Sequence, residues 1–200
     1  MMLDFTACTR KGCLRKTWAG SEFCKEHHPD AAGCQAELID GILKDKKELE
    51  NLDLSEITLS DMVFEDFSFT FCRFTKAVFS HVSFRSTRFL MCLLDGIRAA
   101  DCNFDGSGMM SVVAAGSDFS NTIFTGSNLI NVNFNGIRGD FAVFNESDLS
   151  SSRFIAASLN RAQFQDCNLR LADFTEARLQ NTDFSESNPE EAYFITVPSQ

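Results

Sequence analysis

The sequence predicts an all-β solenoid, a square coil of about seven turns, preceded by a small cysteine–histidine module and an amphipathic helix. Three observations predict it. The 200 residues contain 21 Phe but only one Trp and one Tyr. Sixteen of those Phe share one five-residue register, as in Phe64, Phe69, Phe74, Phe79, Phe84 and Phe89. That register is missing from residues 1–34, where cysteines and histidines gather instead.

Period five suits neither common element. Five residues on an α-helix advance about 500°, so apolar positions would smear around the axis. On a continuous strand an odd period sends successive Phe to opposite faces. The chain must turn within every unit, and four units close a 20-residue square. Seven such coils at about 4.8 Å spacing make a rod of about 35 Å.

Two residues before each large position lies a small one, among them Cys72, Ala77, Cys92, Cys102, Ser127, Ala142 and Cys167. One large and one small inward residue per side would fill a narrow tube. Where the large residue shrinks, its neighbour grows. Ala99 follows Ile97, Ala114 follows Val112, and Gly139 follows Ile137. Close-packed interiors demand such compensation, because an unfilled ring space is a costly cavity. Phe64, Phe84, Phe104, Phe124, Phe144, Phe164 and Phe184 should stack in one column. The column ten residues on should face it. Cys72 and Cys92 should stack as buried thiols, although their spacing would also permit a disulfide.

Units such as Ala172-Asp173-Phe174-Thr175-Glu176 and Cys167-Asn168-Leu169-Arg170-Leu171 resemble the pentapeptide-repeat family, whose units read roughly A-(D/N)-(L/F)-x-x. The resemblance covers about three quarters of the chain. It implies a right-handed quadrilateral β-helix over residues 53–196, followed by a tail at 197–200.

Residues 1–34 follow another logic. Cys8, Cys13, Cys24 and His27 give C-x4-C-x10-C-x2-H, with His28 as an alternative fourth ligand and Cys34 a weaker one. Three thiolates and an imidazole suit a closed tetrahedral Zn²⁺ site, and a segment this short needs such a staple. The motif looks like small treble-clef or knuckle-type zinc modules. Four protein ligands leave no open position for catalysis, so the expected zinc is structural. Arg10, Lys11, Arg15, Lys16 and Lys25 surround it, but Asp4, Glu22, Glu26 and Asp30 nearly cancel their charge.

Residues 35–52 read as a helix, with Leu38, Ile39, Ile42, Leu43 and Leu49 on one stripe. Standing before the first coil, it should cap the open end of the tube. Pro189 should stop the register near the other end, leaving Tyr193, Phe194 and Ile195 to close the terminus.

The formal net charge of −10 argues against direct nucleic-acid binding. No apolar run is long enough to span a bilayer, and the opening residues lack an apolar signal core, so a cytoplasmic protein is expected. His81 stands at an outward position with no nucleophile or paired base, which speaks against an enzyme. Leu90, Met110 and Ile130 recur at the same point of successive coils and should form an exposed apolar ladder, with Leu93 and Val113 on the next face and Met91 near the corner. A contiguous exposed apolar patch marks a protein interface, whether with another protein or with a second copy of this chain. The expected function is therefore a non-enzymatic interaction scaffold. Some members of the resembled family protect DNA gyrase by imitating acidic, rod-like DNA, which supplies the alternative. Against it, Arg98, Asp118, Arg138, Ser158 and Arg178 share one column, so charge alternates where a duplex mimic should be uniformly acidic.

Overall fold

The computed structural model describes residues 6–19, 21–45 and 47–195, with the side chains of 42–45 excepted. The five-residue register becomes a β-solenoid whose corner falls two residues after each large inward side chain. From Asn51 to Glu186 every residue in that phase has a φ between 51° and 67°. Gly holds only five of these corners, at 96, 106, 116, 126 and 136. A side chain in the left-handed region costs about 1–2 kcal/mol. What offsets it is the corner amide, which donates to a carbonyl of the next coil, as Glu56 does to Thr75 at 2.9 Å.

The remaining backbone groups are paired by the same repetition. Each large inward residue donates to the next coil, as Phe64 does to Ser83 at 2.8 Å. The residue before it donates to the previous coil, as Arg73 does to Leu52 at 2.9 Å. The small inward residue closes the turn, as Ala77 does on Phe74 at 2.8 Å. Asn or Asp before the large residue accepts the N–H two residues later, as Asp118 does from Ser120 at 3.1 Å. That local bond explains the acidic and amide residues of the repeat.

Six short strands stand out from this coil. They are β1 (Glu48–Glu50), β2 (Thr58–Ser60), β3 (Ser68–Thr70), β4 (Val78–Ser80), β5 (Arg88–Leu90) and β6 (Gly108–Met110). One parallel sheet runs β1-β3-β5-β6, another pairs β2 with β4, and isolated parallel bridges continue both. Bridge partners sit one coil apart, from Glu48↔Ser68 to Asp173↔Tyr193.

Both inward series are buried over residues 64–174, whereas Leu179 and Phe184 are half-buried and Phe194 is exposed. The Phe64-to-Phe184 column stacks at centroid spacings of 4.7 to 5.3 Å. Phe154 meets Phe164 edge-on at 5.7 Å, so the column holding Phe154 faces the column holding Phe164. Such pairs add about 0.5–1.5 kcal/mol beyond burial. Hydroxyls in the small series reach carbonyls of the preceding coil, as Ser147 Oγ does on Phe124 at 2.7 Å. Cys72 and Cys92 are buried free thiols, and Cys92 Sγ lies 3.2 Å from the Phe69 carbonyl. The expected compensation holds at Gly139, where an added Cβ would lie 2.9 Å from Leu159 Cδ2 and 3.3 Å from Ile137 Cδ1.

The helix differs from the expected 35–52. Helix α1 spans Ala31–Asp45, and Glu48–Glu50 is already the first strand. Asp30 Oδ1 accepts the Gly33 N–H at 2.8 Å, an N-cap that starts the helix ahead of the expected Gln35. At the other end the register reaches one unit further back than Leu54. Leu49 is buried against the core and pairs with Phe69, so it belongs to the coil and not to a helical stripe. Leu38 and Ile39 do pack on the core. The side chains of Ile42 and Leu43 lie outside the described residues, as do Asp4 and the 197–200 tail.

Pro189 interrupts the coil without ending it. Residues Pro189–Glu191 form a 3-10 turn, and Asn188 Oδ1 takes the Leu169 N–H at 2.7 Å in place of a carbonyl. The ladder resumes at Tyr193, whose carbonyl accepts from Phe174 at 2.8 Å, and Phe194 stacks on Phe174 at 5.1 Å.

Candidate functional site

The N-terminal module folds as two turns facing each other across a cluster of thiols. The backbone brings Cys8 against Arg15 by a 2.8 Å bond and closes the first turn from Cys13 to Arg10 at 3.0 Å. A 3-10 turn, Lys25–His27, then folds His27 back toward Cys24. Cys8, Cys13, Cys24 and His27 place one ligand atom each within 4.8 Å of one another. Cys13 Sγ lies 3.9 Å from Cys24 Sγ, and His27 Nδ1 lies 3.6 Å from Cys8 Sγ and 3.4 Å from Cys24 Sγ.

These separations can be tested against a metal. Tetrahedral Zn²⁺ with its usual bond lengths needs S···S edges of about 3.8 Å and S···N edges of about 3.5 Å. The Cys13–Cys24 edge and the two His27 edges match these values. Its local electrostatics favour a thiolate at Cys8. Burial opposes the charged form of Cys8, but the amides of Cys24 and Arg10 and the His27 ring outweigh it, holding this thiol at about 6. The Cys13 thiol is pushed up: the Arg15 amide lowers it, but burial and the neighbouring Cys24 and Cys8 raise it more. One site that favours anionic sulfur while crowding several sulfurs together suits a cation.

His28 and Cys34 stand apart from the cluster. His28 Nδ1 accepts the Asp30 N–H at 3.1 Å, and its ring meets Phe23 edge-on. Cys34 sits within α1. Among the basic residues, Arg15 pairs with Glu26, and Lys25 lies 3.7 Å from Glu56 and 5.5 Å from the Trp18 ring centroid.

The module is docked on the first coil. Ala19 N–H donates to Asp53 O at 2.7 Å, Trp18 Nε1 to Ser55 O at 2.8 Å and Lys25 Nζ to Glu56 O at 2.7 Å. From α1, Gln35 Nε2 reaches Thr58 O at 2.9 Å. Capping is therefore shared by the module and the helix.

Comparison with known proteins identifies the coil. A profile described as pentapeptide repeats (8 copies) matches residues 53–90, and one described as a pentapeptide repeat region matches 117–194. The chain belongs to the pentapeptide-repeat family. A search of curated proteins returns no match. Among solved structures, a trypsin-treated variant of QnrB1, a plasmid-mediated fluoroquinolone resistance protein, aligns at 19% identity with a TM-score of 0.63. That alignment covers 72% of this chain and 78% of QnrB1. HetL, a pentapeptide-repeat protein involved in heterocyst differentiation regulation in the cyanobacterium Nostoc sp. strain PCC 7120, aligns at 16% identity and a TM-score of 0.32, covering 79% of this chain and 93% of HetL. The likeness to QnrB1 concerns the fold alone.

On the pentapeptide-repeat coil, the structure brings Leu90 and Met110 together as Cα partners of β5 and β6. Both line a groove of about 510 Å³ with Arg88, Gly106, Gly108, Gly126 and Asn128. Met110 is 51% exposed. Leu93 and Val113 pair on the adjoining face, and Met91 stands at the corner between the faces, 47% exposed. Ile130 is half-buried and outside the groove lining. Sequence reasoning missed the glycine contribution. Gly108 pairs with Arg88, and Gly106 and Gly126 line the groove as corners without side chains. It also missed exposed Ile123, which bridges Val143, and Phe141, whose ring carries Arg161 at 5.5 Å. The one-coil spacing of these pairs was a readable signal.

The column holding Arg98, Asp118, Arg138, Ser158 and Arg178 is one continuous bridge ladder, and Arg138 pairs with Asp118 at 3.1 Å. Among the described residues, no helix is long and apolar enough to cross a membrane.

Proposed function

We propose that this protein is a non-enzymatic scaffold that presents the Leu90–Met110 groove and the adjoining Met91, Leu93 and Val113 to a protein partner. The observation that carries the reading is the groove itself. The ladder holds exposed Met110 and half-buried Leu90 side by side over a floor lined by Gly106, Gly108 and Gly126. Ile130 extends the apolar column by one coil. In the same reading Cys8, Cys13, Cys24 and His27 hold a structural Zn²⁺, which crosslinks a module too small to fold on its own core. Replacing Met110 with Asp tests the surface. Loss of partner recovery after crosslinking in cells, with an unchanged circular dichroism spectrum, is expected. Undiminished recovery would sink the reading.

A gyrase-directed DNA mimic is the second reading, favoured by the acidity of the coil and by a fold shared with a fluoroquinolone resistance protein. The alternating charge of the Arg98–Arg178 ladder weighs against it. A gyrase supercoiling assay decides: inhibition, or protection from a quinolone, would favour the mimic over the scaffold.

A further inference from the structure

Gly108 leaves a gap in a column of outward side chains. Arg88 and Asn128 are its bridge partners on the coils before and after, so two coils, about 9.6 Å, separate the side chains on either side. The corners beside the gap are Gly106 and Gly126, which add no side chain either. Across the strand the gap is walled by Met110, 51% exposed, and by half-buried Leu90. Bare backbone therefore lies between a thioether and a guanidinium, inside the groove of about 510 Å³. Arg88 is exposed and forms no ion pair among the described residues. Its neighbours do form them. Arg85 pairs with Asp105 at 3.2 Å, and Lys47 lies 3.6 Å from Asp66.

We propose that this gap takes an aromatic side chain from the partner, carried on an extended segment in which a carboxylate next to the ring pairs with Arg88. This rests on the reading that the Leu90–Met110 groove is the partner surface. Three features of the gap select a ring. Glycine in a strand marks a place where another group can approach the backbone closely, and a flat ring uses that approach over its whole face. A methionine sulfur is favourable at a ring edge. A guanidinium lies over a ring face while its N–H edge stays free for a carboxylate. An aliphatic side chain would use only the apolar wall. Charge selects the flanking residue. On a chain of formal net charge −10, Arg88 is a cation that no acid of its own chain pairs. A carboxylate beside the ring gains a charge-assisted bond there, which a basic neighbour forfeits. The Ser86 hydroxyl and the Asn128 amide, both on the groove lining, offer polar groups to the segment's backbone.

The probes are capped Ser-Glu-Trp-Ser, Ser-Glu-Leu-Ser and Ser-Lys-Trp-Ser peptides. They are titrated into the full chain carrying ¹³C-methyl methionine, with the Met110 signal assigned by Met110→Leu. The Glu-Trp peptide should move the Met110 methyl upfield by its ring current and saturate. The Lys-Trp peptide should bind about 5-fold more weakly, as the loss of one charge-assisted bond predicts, and the Glu-Leu peptide should also bind more weakly. Arg88→Gln should bind the Glu-Trp and Lys-Trp peptides alike. Gly108→Thr should abolish the shift and keep the circular dichroism spectrum, since a Cβ there would stand 3.6 Å from Arg88 Cγ, an ordinary contact. An unmoved Met110 methyl, equal binding of the three peptides, or undiminished binding by Gly108→Thr overturns the pocket. In the crosslinking assay, partner loss by Met110→Asp with full recovery by Gly108→Thr overturns the pocket and keeps the scaffold. Full recovery by both variants overturns both.

Discussion

Trp18 Nε1 donates to the carbonyl of Ser55 at 2.8 Å, in the place that the Glu56 amide takes against Thr75 one coil further on. An indole from outside the repeat thus stands in for a backbone amide of a coil that does not exist. Ala19 does the same for Asp53, at the position that Leu54 fills against Arg73. The module touches the tube through the tube's own bonding pattern, which fixes where it can sit.

Trp18→Phe should keep most of the buried ring and lose only that bond. The expected cost is about 1 kcal/mol, the net value of one such hydrogen bond. Trp18→Ala should cost about 3–5 kcal/mol, because the side chain is buried and its space cannot refill. Urea denaturation followed by circular dichroism measures both, and equal losses for the two variants would contradict the role given to Nε1.

Exchange of large and small partners provides a second test. Ile137 and Gly139 sit beside Ala157 and Leu159 in the same two columns, with the size order reversed. Gly139→Leu alone should cost about 1–3 kcal/mol, since the added side chain enters space already filled by Leu159 Cδ2 and Ile137 Cδ1, which lie 2.9 and 3.3 Å from where a Cβ would stand. Adding Ile137→Ala reproduces the neighbouring coil's own pattern. The double variant should recover at least about 1 kcal/mol, seen as a non-additive term in a double-mutant cycle. Additive losses would mean that the two columns do not share one space.

At the corners, Gly126 has φ +62° and nothing within 4 Å of where a Cβ would stand. Gly126→Ala therefore reports backbone strain alone, and the expected loss is about 1 kcal/mol. A fall in the denaturation midpoint without a change in m-value is the expected record. No loss at all would show that the ladder holds the corner without strain.

How far the sequence could be read follows from these same residues. The inward columns were legible because burial restricts them to a few side chains, so Phe64 to Phe184 repeats almost without variation. The corners were not, because an amide bond to the next coil holds the left-handed conformation whatever the side chain. Met91, Ser111 and Arg161 occupy corners with nothing in common but φ. The helix bounds failed at both ends for local reasons. Asp30 signals its cap with a single side chain, and Leu49 fits a helical stripe as well as a five-residue register. The thiol cluster was legible from spacing, whereas the choice between His27 and His28 depended on how a 3-10 turn aims two adjacent rings.

That choice yields the last prediction. His27 Nδ1 faces Cys8 and Cys24, while His28 Nδ1 is occupied by the Asp30 amide just before α1. His28→Ala should retain one zinc per chain and lose only the contact that steadies the start of the helix. His27→Ala leaves three thiolates and an open position, so bound zinc should exchange readily with a chromophoric chelator. Zinc-to-protein ratios before and after passage over a chelating resin separate the two. The reverse order, with His28→Ala releasing the metal and His27→Ala keeping it, would require the 3-10 turn to rotate by one residue and would break the His27–Cys24 backbone bond of 3.0 Å that closes it.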